Sequence, residues 1–96
     1  YWDSFHCTVF GHLADGNLHI IVGVGSGDKE SIKRIEECVY EPLAPINGAI
    51  SAEHGIGLEK KNFLSISRSE TEIEVMRTLK KSLDPNGILN PRKVFD

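Results

Sequence analysis

Cysteine is scarce in this sequence. Cys7 and Cys38 are the only two in 96 residues, too few and too far apart for a disulfide framework or a cysteine-rich zinc site, which suits a reducing compartment. Basic stripes are also missing. The pairs Lys60-Lys61 and Lys80-Lys81 stand isolated among acids and the net charge is −3, so a nucleic-acid partner is not expected. The longest apolar run, around Leu18 to Val24, falls far short of the ~20 residues that span a bilayer. No repeat, low-complexity tract or targeting signal is visible. The opening Tyr1-Trp2-Asp3-Ser4-Phe5 reads like the interior of a protein, so a piece of a longer chain is expected and the silence about targeting decides nothing. A hydrophobic share of 40% is slightly low, and a chain this short buries a small core. A further domain or an oligomer would cover part of its surface, a homodimer being one such arrangement.

What is present begins with His12-Leu13-Ala14-Asp15-Gly16-Asn17-Leu18-His19. Asp-Gly is a strong signal for a two-residue type I′ turn. That turn would set Ala14 against Asn17, Leu13 against Leu18 and His12 against His19, joining strands over residues 5–12 and 17–24. Cys7, Val9, Gly11 and Leu13 would then share an apolar face with Leu18, Ile20, Val22 and Val24, packed on a helix. His6, Thr8, Phe10, His12, His19, Ile21 and Gly23 would share the other, mixed face, suited to lining a cavity.

Asp28 is a good N-cap for a helix carrying Ile32, Ile35, Val39, Leu43 and Ile46 at helical spacing, running to about Glu41 and stopping near Pro42 or Pro45. Residues 48–53 read as a short extended run, 54–57 as a loop and 58–65 as a short helix. Ser69 with Glu72 makes a capping-box pattern ahead of a helix with Ile73, Met76, Leu79 and Leu83 on one side. Asp84-Pro85-Asn86-Gly87 stops it, and residues 88–96 form an irregular tail. The order strand–strand–helix–strand–helix–helix–tail predicts an α+β fold, an antiparallel sheet with helices packed on one face.

Chemistry concentrates in His12, His19 and the pair Glu53-His54. Two imidazoles and a carboxylate suit zinc or another first-row metal and leave positions open for substrate. A dication so held keeps one positive charge and would favour an anion such as a 2-hydroxy carboxylate, whose hydroxyl pKa it would lower. The plain alternative is a cross-strand histidine pair with no ligand, and spacing alone does not separate the two. Glu53 and His54 would point to opposite faces of a regular strand, although Gly55 and Gly57 allow a bend. His54 is a candidate general base; read alone, a plain loop histidine is the stronger reading. His6 has no partner in sequence, and Cys7 reads as core. Gly55-x-Gly57 lacks the third glycine of a nucleotide-binding loop.

Three stretches carry a resemblance. Phe10-Gly11-His12-Leu13-Ala14-Asp15-Gly16-Asn17-Leu18-His19 resembles the G-H-x-x-D-G-N-x-H motif of FAD-linked 2-hydroxy-acid dehydrogenases. Ser51-Ala52-Glu53-His54-Gly55-Ile56-Gly57 resembles their second motif, and Leu83-Asp84-Pro85-Asn86-Gly87-Ile88-Leu89-Asn90-Pro91 their C-terminal signature. The family lies within the vanillyl-alcohol-oxidase type of flavoproteins and includes D-lactate, glycolate and D-2-hydroxyglutarate dehydrogenases. The resemblance implies that residues 1–96 are the C-terminal segment of a ferredoxin-like substrate (cap) domain, with the FAD-binding domain absent from this chain. It further implies His12, His19 and Glu53 as metal ligands, commonly for zinc, and His54 as the base that takes the substrate hydroxyl proton. Asn17 and Asn90 would lie near flavin or substrate. Ala14 and Arg92 stand where glycine is common in the family.

On this reading the whole protein oxidises a 2-hydroxy acid to a 2-oxo acid with FAD, while the isolated chain is inactive. It would reside in the cytoplasm, free or associated with a membrane through an electron-transfer partner. The rival reading is a stand-alone metal-binding or interaction module without redox activity. A non-redox relative of the alkyl-glycerone-phosphate synthase type would need a different His-rich motif, which is not seen.

Overall fold

The computed structural model describes residues 2–25 and 27–96. Its elements are strands β1 (His6–His12) and β2 (Asn17–Gly23), helix α1 (Lys29–Tyr40), 3-10 segments Glu41–Ile46 and Lys61–Phe63, and helices α2 (Leu64–Ser67) and α3 (Glu70–Leu83). This is a small α+β arrangement, as the sequence predicts. The chain divides into two units, one up to Val39 and one from Tyr40.

In the first unit, β1 and β2 form an antiparallel pair with Phe10 opposite His19, Gly11 opposite Leu18 and His12 opposite Asn17. The expected register, with His12 facing His19, is therefore wrong by two residues. A type I′ turn needs positive φ at both central residues, but within 13–16 only Gly16 adopts it, at φ 67°. The loop becomes four residues long, closed by the Gly16 N–H donating to the His12 carbonyl at 3.0 Å. Side chains alternate with period two, so a slip of two residues leaves each one on its expected face.

Gly11 is fixed by its neighbour across the ladder. A Cβ there would lie 2.1 Å from the Asn17 carbonyl oxygen, and its φ of 153° is one that L side chains rarely adopt. The apolar face remains open: Val9 is 55% and Leu18 60% exposed, and Cys7, read as core, is exposed too. The cover predicted for this face is incomplete within the chain.

Asp28 caps α1 as expected, accepting the Ser31 N–H and hydroxyl at 2.9 Å each. The α-helix ends at Tyr40, because Pro42 and Pro45 supply no N–H to an α-helical ladder. The chain tightens into the 3-10 turn Glu41–Ile46, closed by Asn47 in the left-handed conformation.

In the second unit Ile50, Leu64 and Ile73 are the buried apolar residues, and the Tyr40 and Phe63 rings meet at 5.0 Å. Residues 48–53 form no strand, against expectation. Gly48, Ala49, Ser51 and Ala52 have low strand preference, and the only strand pairing among the described residues is β1 with β2. The helix expected over 58–65 starts later, at Lys61 as 3-10 and at Leu64 as α-helix.

The capping box forms as predicted. The Ser69 N–H donates to Glu72 at 2.7 Å and the Glu72 N–H to Ser69 Oγ at 3.3 Å. Those bonds, the one from the Ser69 backbone foremost, hold the Glu72 carboxyl below its ordinary pKa. Of the α3 stripe, Ile73 is buried but Leu83 is 80% exposed.

Asp84 ends α3 and is only 7% exposed. Its carboxylate accepts Lys80 Nζ and the N–H groups of Ile88 and Leu89, both at 3.0 Å. The Lys80 hydrogen bond is the main reason its pKa lies below the ordinary 3.8, with those two N–H bonds adding to it.

Two outcomes are expected in denaturation of the full-length protein. Gly11→Ala should lose at least ~1–3 kcal/mol from backbone strain alone, with the clash added. Gly16→Ala, which meets no atom within 4 Å, should cost only ~1 kcal/mol from its φ; equal losses at the two sites would refute the close approach at Gly11. A depressed carboxyl pKa contributes stability that is fully present above the unfolded value and fades as pH falls through the folded one. The melting-temperature gap between wild type and Asp84→Asn should therefore be widest above about pH 4 and close below it.

Candidate active site

The mixed face of the hairpin carries His6, Thr8, Phe10 and His12 from β1 and Asn17, His19 and Ile21 from β2, by the register above. With Phe10 directly opposite, His19 stacks on its ring at 5.0 Å between centres and 12° between planes. His12 becomes the diagonal neighbour of His19, and their ring centres are 6.4 Å apart. Two imidazoles at adjacent corners of a zinc tetrahedron, with Zn–N of about 2.0–2.1 Å, have ring centres about 5 Å apart. The ring centres are wider apart than that, but a ligand atom of each ring lies within 4.8 Å of the other's, and two imidazoles suit a first-row metal in their chemistry.

Asp15 sharpens that fit. His12 Nδ1 lies 3.3 Å from Asp15 Oδ2. An ionised carboxylate only accepts, so the contact requires a proton on Nδ1 and leaves Nε2 of the neutral ring as a lone pair. Carboxylates orient metal-binding histidines in this way. The sequence places Asp15 in the turn alone and Phe10 on the mixed face with no stacking partner assigned; the even spacing of Phe10 and His12 along β1 is the available signal for the stack.

The other two candidates, Glu53 and His54, lie in the second unit on a segment bent at residues 52–54. Strand alternation does not apply there, and the objection that both could not serve one pocket falls. His54 borders a cavity of about 310 Å³ together with Gly57, Lys60 and Lys93. Lys93 went unnoticed in the sequence because it sits in an irregular tail with no periodicity to place it.

That tail is held against the loop. The Val94 N–H donates to the Gly57 carbonyl at 2.7 Å, and Lys61 Nζ bonds the Asp96 carboxylate at 2.6 Å, which depresses the Asp96 pKa. The Arg77 guanidinium lies 6.0 Å from the centre of the Phe95 ring.

Of the two asparagines, Asn17 closes the hairpin opposite His12. Asn90 sits in the tail in the left-handed conformation, φ 45°, and lines a second cavity of about 580 Å³ with Met76, Leu79 and Phe95. His6 lies at the far end of β1 opposite Gly23. No helix among the described residues is long and apolar enough to cross a membrane.

Residues 3–94 match the family described as FAD linked oxidases, C-terminal domain, and the chain belongs to that family. It is 42% identical over 99% of its length to a D-2-hydroxyglutarate dehydrogenase of Stutzerimonas stutzeri, of which it covers 22%. To a D-2-hydroxyglutarate–pyruvate transhydrogenase of Saccharomyces cerevisiae it is 48% identical over 88% of its length, covering 17% of that protein. The mitochondrial D-2-hydroxyglutarate dehydrogenase of Rattus norvegicus is 44% identical over 94% of the chain, which again covers 17% of it. The chain thus spans about a fifth of these relatives.

In the metal-free protein the His12 ring should carry its proton on Nδ1. Nitrogen NMR of the imidazole checks this: Asp15→Ala should release the ring to exchange between tautomers, and a spectrum indifferent to that change would refute the contact.

Proposed function

We propose that this chain is the C-terminal segment of the substrate-binding domain of an FAD-dependent D-2-hydroxy-acid dehydrogenase. In the whole protein, the substrate is oxidised to a 2-oxo acid. The observation that carries the reading is the hairpin with two imidazoles on one face, one of them tied to a carboxylate through Nδ1, inside a stretch that belongs to the FAD-linked oxidase family. D-2-hydroxyglutarate is the first substrate to try, since the relatives above are named for it.

His12 and His19, with Glu53, would hold a divalent metal, zinc by preference. When bound, such an ion polarises the substrate hydroxyl and lowers its pKa. His54 takes the hydroxyl proton while the C2 hydrogen leaves as hydride, so two electrons leave the substrate and a ketone forms. FAD, when bound, would supply the acceptor for that hydride. By the family resemblance, the flavin would be held mainly by an FAD-binding domain outside residues 1–96, with Asn17 and Asn90 lying near the flavin or the substrate. The isolated 96-residue chain turns over no substrate.

The test is metal content and activity of the full-length protein with a panel of D-2-hydroxy acids, before and after chelation. Activity should fall with the metal and return with added zinc. Unchanged turnover in demonstrably metal-free enzyme would demote His12 and His19 to direct substrate contacts. His54→Gln should lower kcat by about 10²–10⁴-fold with metal content intact; a kcat within a few-fold of wild type would remove His54 as the base.

A further inference from the structure

The cavity beside His54 is richer in charge than proton transfer requires. Its wall includes Glu59, Lys60 and Lys93, leaving one positive charge in surplus. Among the described residues neither Lys60 nor Lys93 is in an ion pair, whereas Lys61 is bound to Asp96 and Lys80 to Asp84. We propose that Lys93, with Lys60 beside it, forms an anion site that binds a carboxylate of the substrate whose hydroxyl is presented to His54. The inference rests on the reading of His54 as the base, and adds to it the residue that recognises the acid.

The backbone around Lys93 is built at a cost. Arg92 has φ 60° and Val94 φ 70°, and positive φ is a genuine outlier for a β-branched residue. Such strain persists only where surrounding contacts over-determine it. Here they do. The Lys93 N–H donates to the Asn90 carbonyl at 3.3 Å and the Val94 N–H to the Gly57 carbonyl at 2.7 Å, while Asp96 is anchored by Lys61. These bonds bring the tail to the His54 loop and leave the Lys93 side chain on the cavity wall. A single surplus charge matches a carboxylate better than a phosphate dianion, and lysine, as a compact point charge, tolerates acids of different length.

The experiment uses full-length holoenzyme with D-lactate and D-2-hydroxyglutarate. Binding of the products pyruvate and 2-oxoglutarate is followed separately by flavin absorbance. Lys93→Met should raise KM and the product Kd about 10–100-fold, the value of a charge-assisted hydrogen bond, with kcat changed far less. Lys93→Arg should restore most of the loss. Raising the salt concentration should raise KM in wild type and much less in Lys93→Met. If Lys93→Met leaves KM and product Kd unchanged while wild type turns over, the anion site is wrong and the dehydrogenase reading stands. If Lys93→Met lowers kcat and melting temperature together without a KM effect, Lys93 is only structural. A wild-type protein that oxidises no 2-hydroxy acid overturns both.

Discussion

Asp84 is an ion in a nearly enclosed position, and burying a carboxylate is costly unless donors replace the water it has lost. Lys80 meets that demand from one turn back on α3, and the Ile88 and Leu89 N–H groups meet it from beyond the helix. The two backbone donors can reach the carboxylate only if the chain reverses at Pro85-Asn86-Gly87, which the Gly87 N–H to Asp84 carbonyl bond closes. Once reversed, the tail has a fixed starting point. Its contacts with Gly57 and Lys61 follow from there, and so does the wall of the His54 cavity.

The hairpin depends on a different constraint, close backbone approach. Gly11 admits the Asn17 carbonyl where any side chain would collide, and the ladder can hold Gly11 opposite Leu18. That register decides the neighbours of each ring: Phe10 stacks on His19, and Asp15, released from the expected turn geometry, reaches His12. A direct pair of histidines becomes a diagonal pair with a stacking partner and an orienting carboxylate. An imidazole that donates to a carboxylate from Nδ1 leaves Nε2 as its lone pair.

Much of the apolar patterning is not used inside the chain. Val9 and Leu18 on the hairpin, and Leu83 on α3, follow the periodicity of buried faces yet stay exposed. A short chain encloses only a small core, and a two-stranded sheet has little stability on its own. The chain covers 22% of one relative and 17% of another.

Local chemistry was legible from sequence alone. The Asp28 cap, the Ser69–Glu72 box, the stop at Asp84 and the two faces of the hairpin all follow from short-range hydrogen bonding and side-chain period, which a linear pattern encodes. The family was legible as well, through three motifs in order. The strand expected over 48–53 was not, because a strand exists only by virtue of a partner and sequence cannot say whether one is there. Register also lay beyond it: Asp15-Gly16 permits both a two-residue and a four-residue loop, and the close packing of Gly11 against Asn17 selects between them. The place of Lys93 was decided by the tail's bonds to Gly57 and Lys61, contacts between residues far apart in the chain. Sequence determined which groups are available for chemistry; the long-range contacts decided which of them stand together.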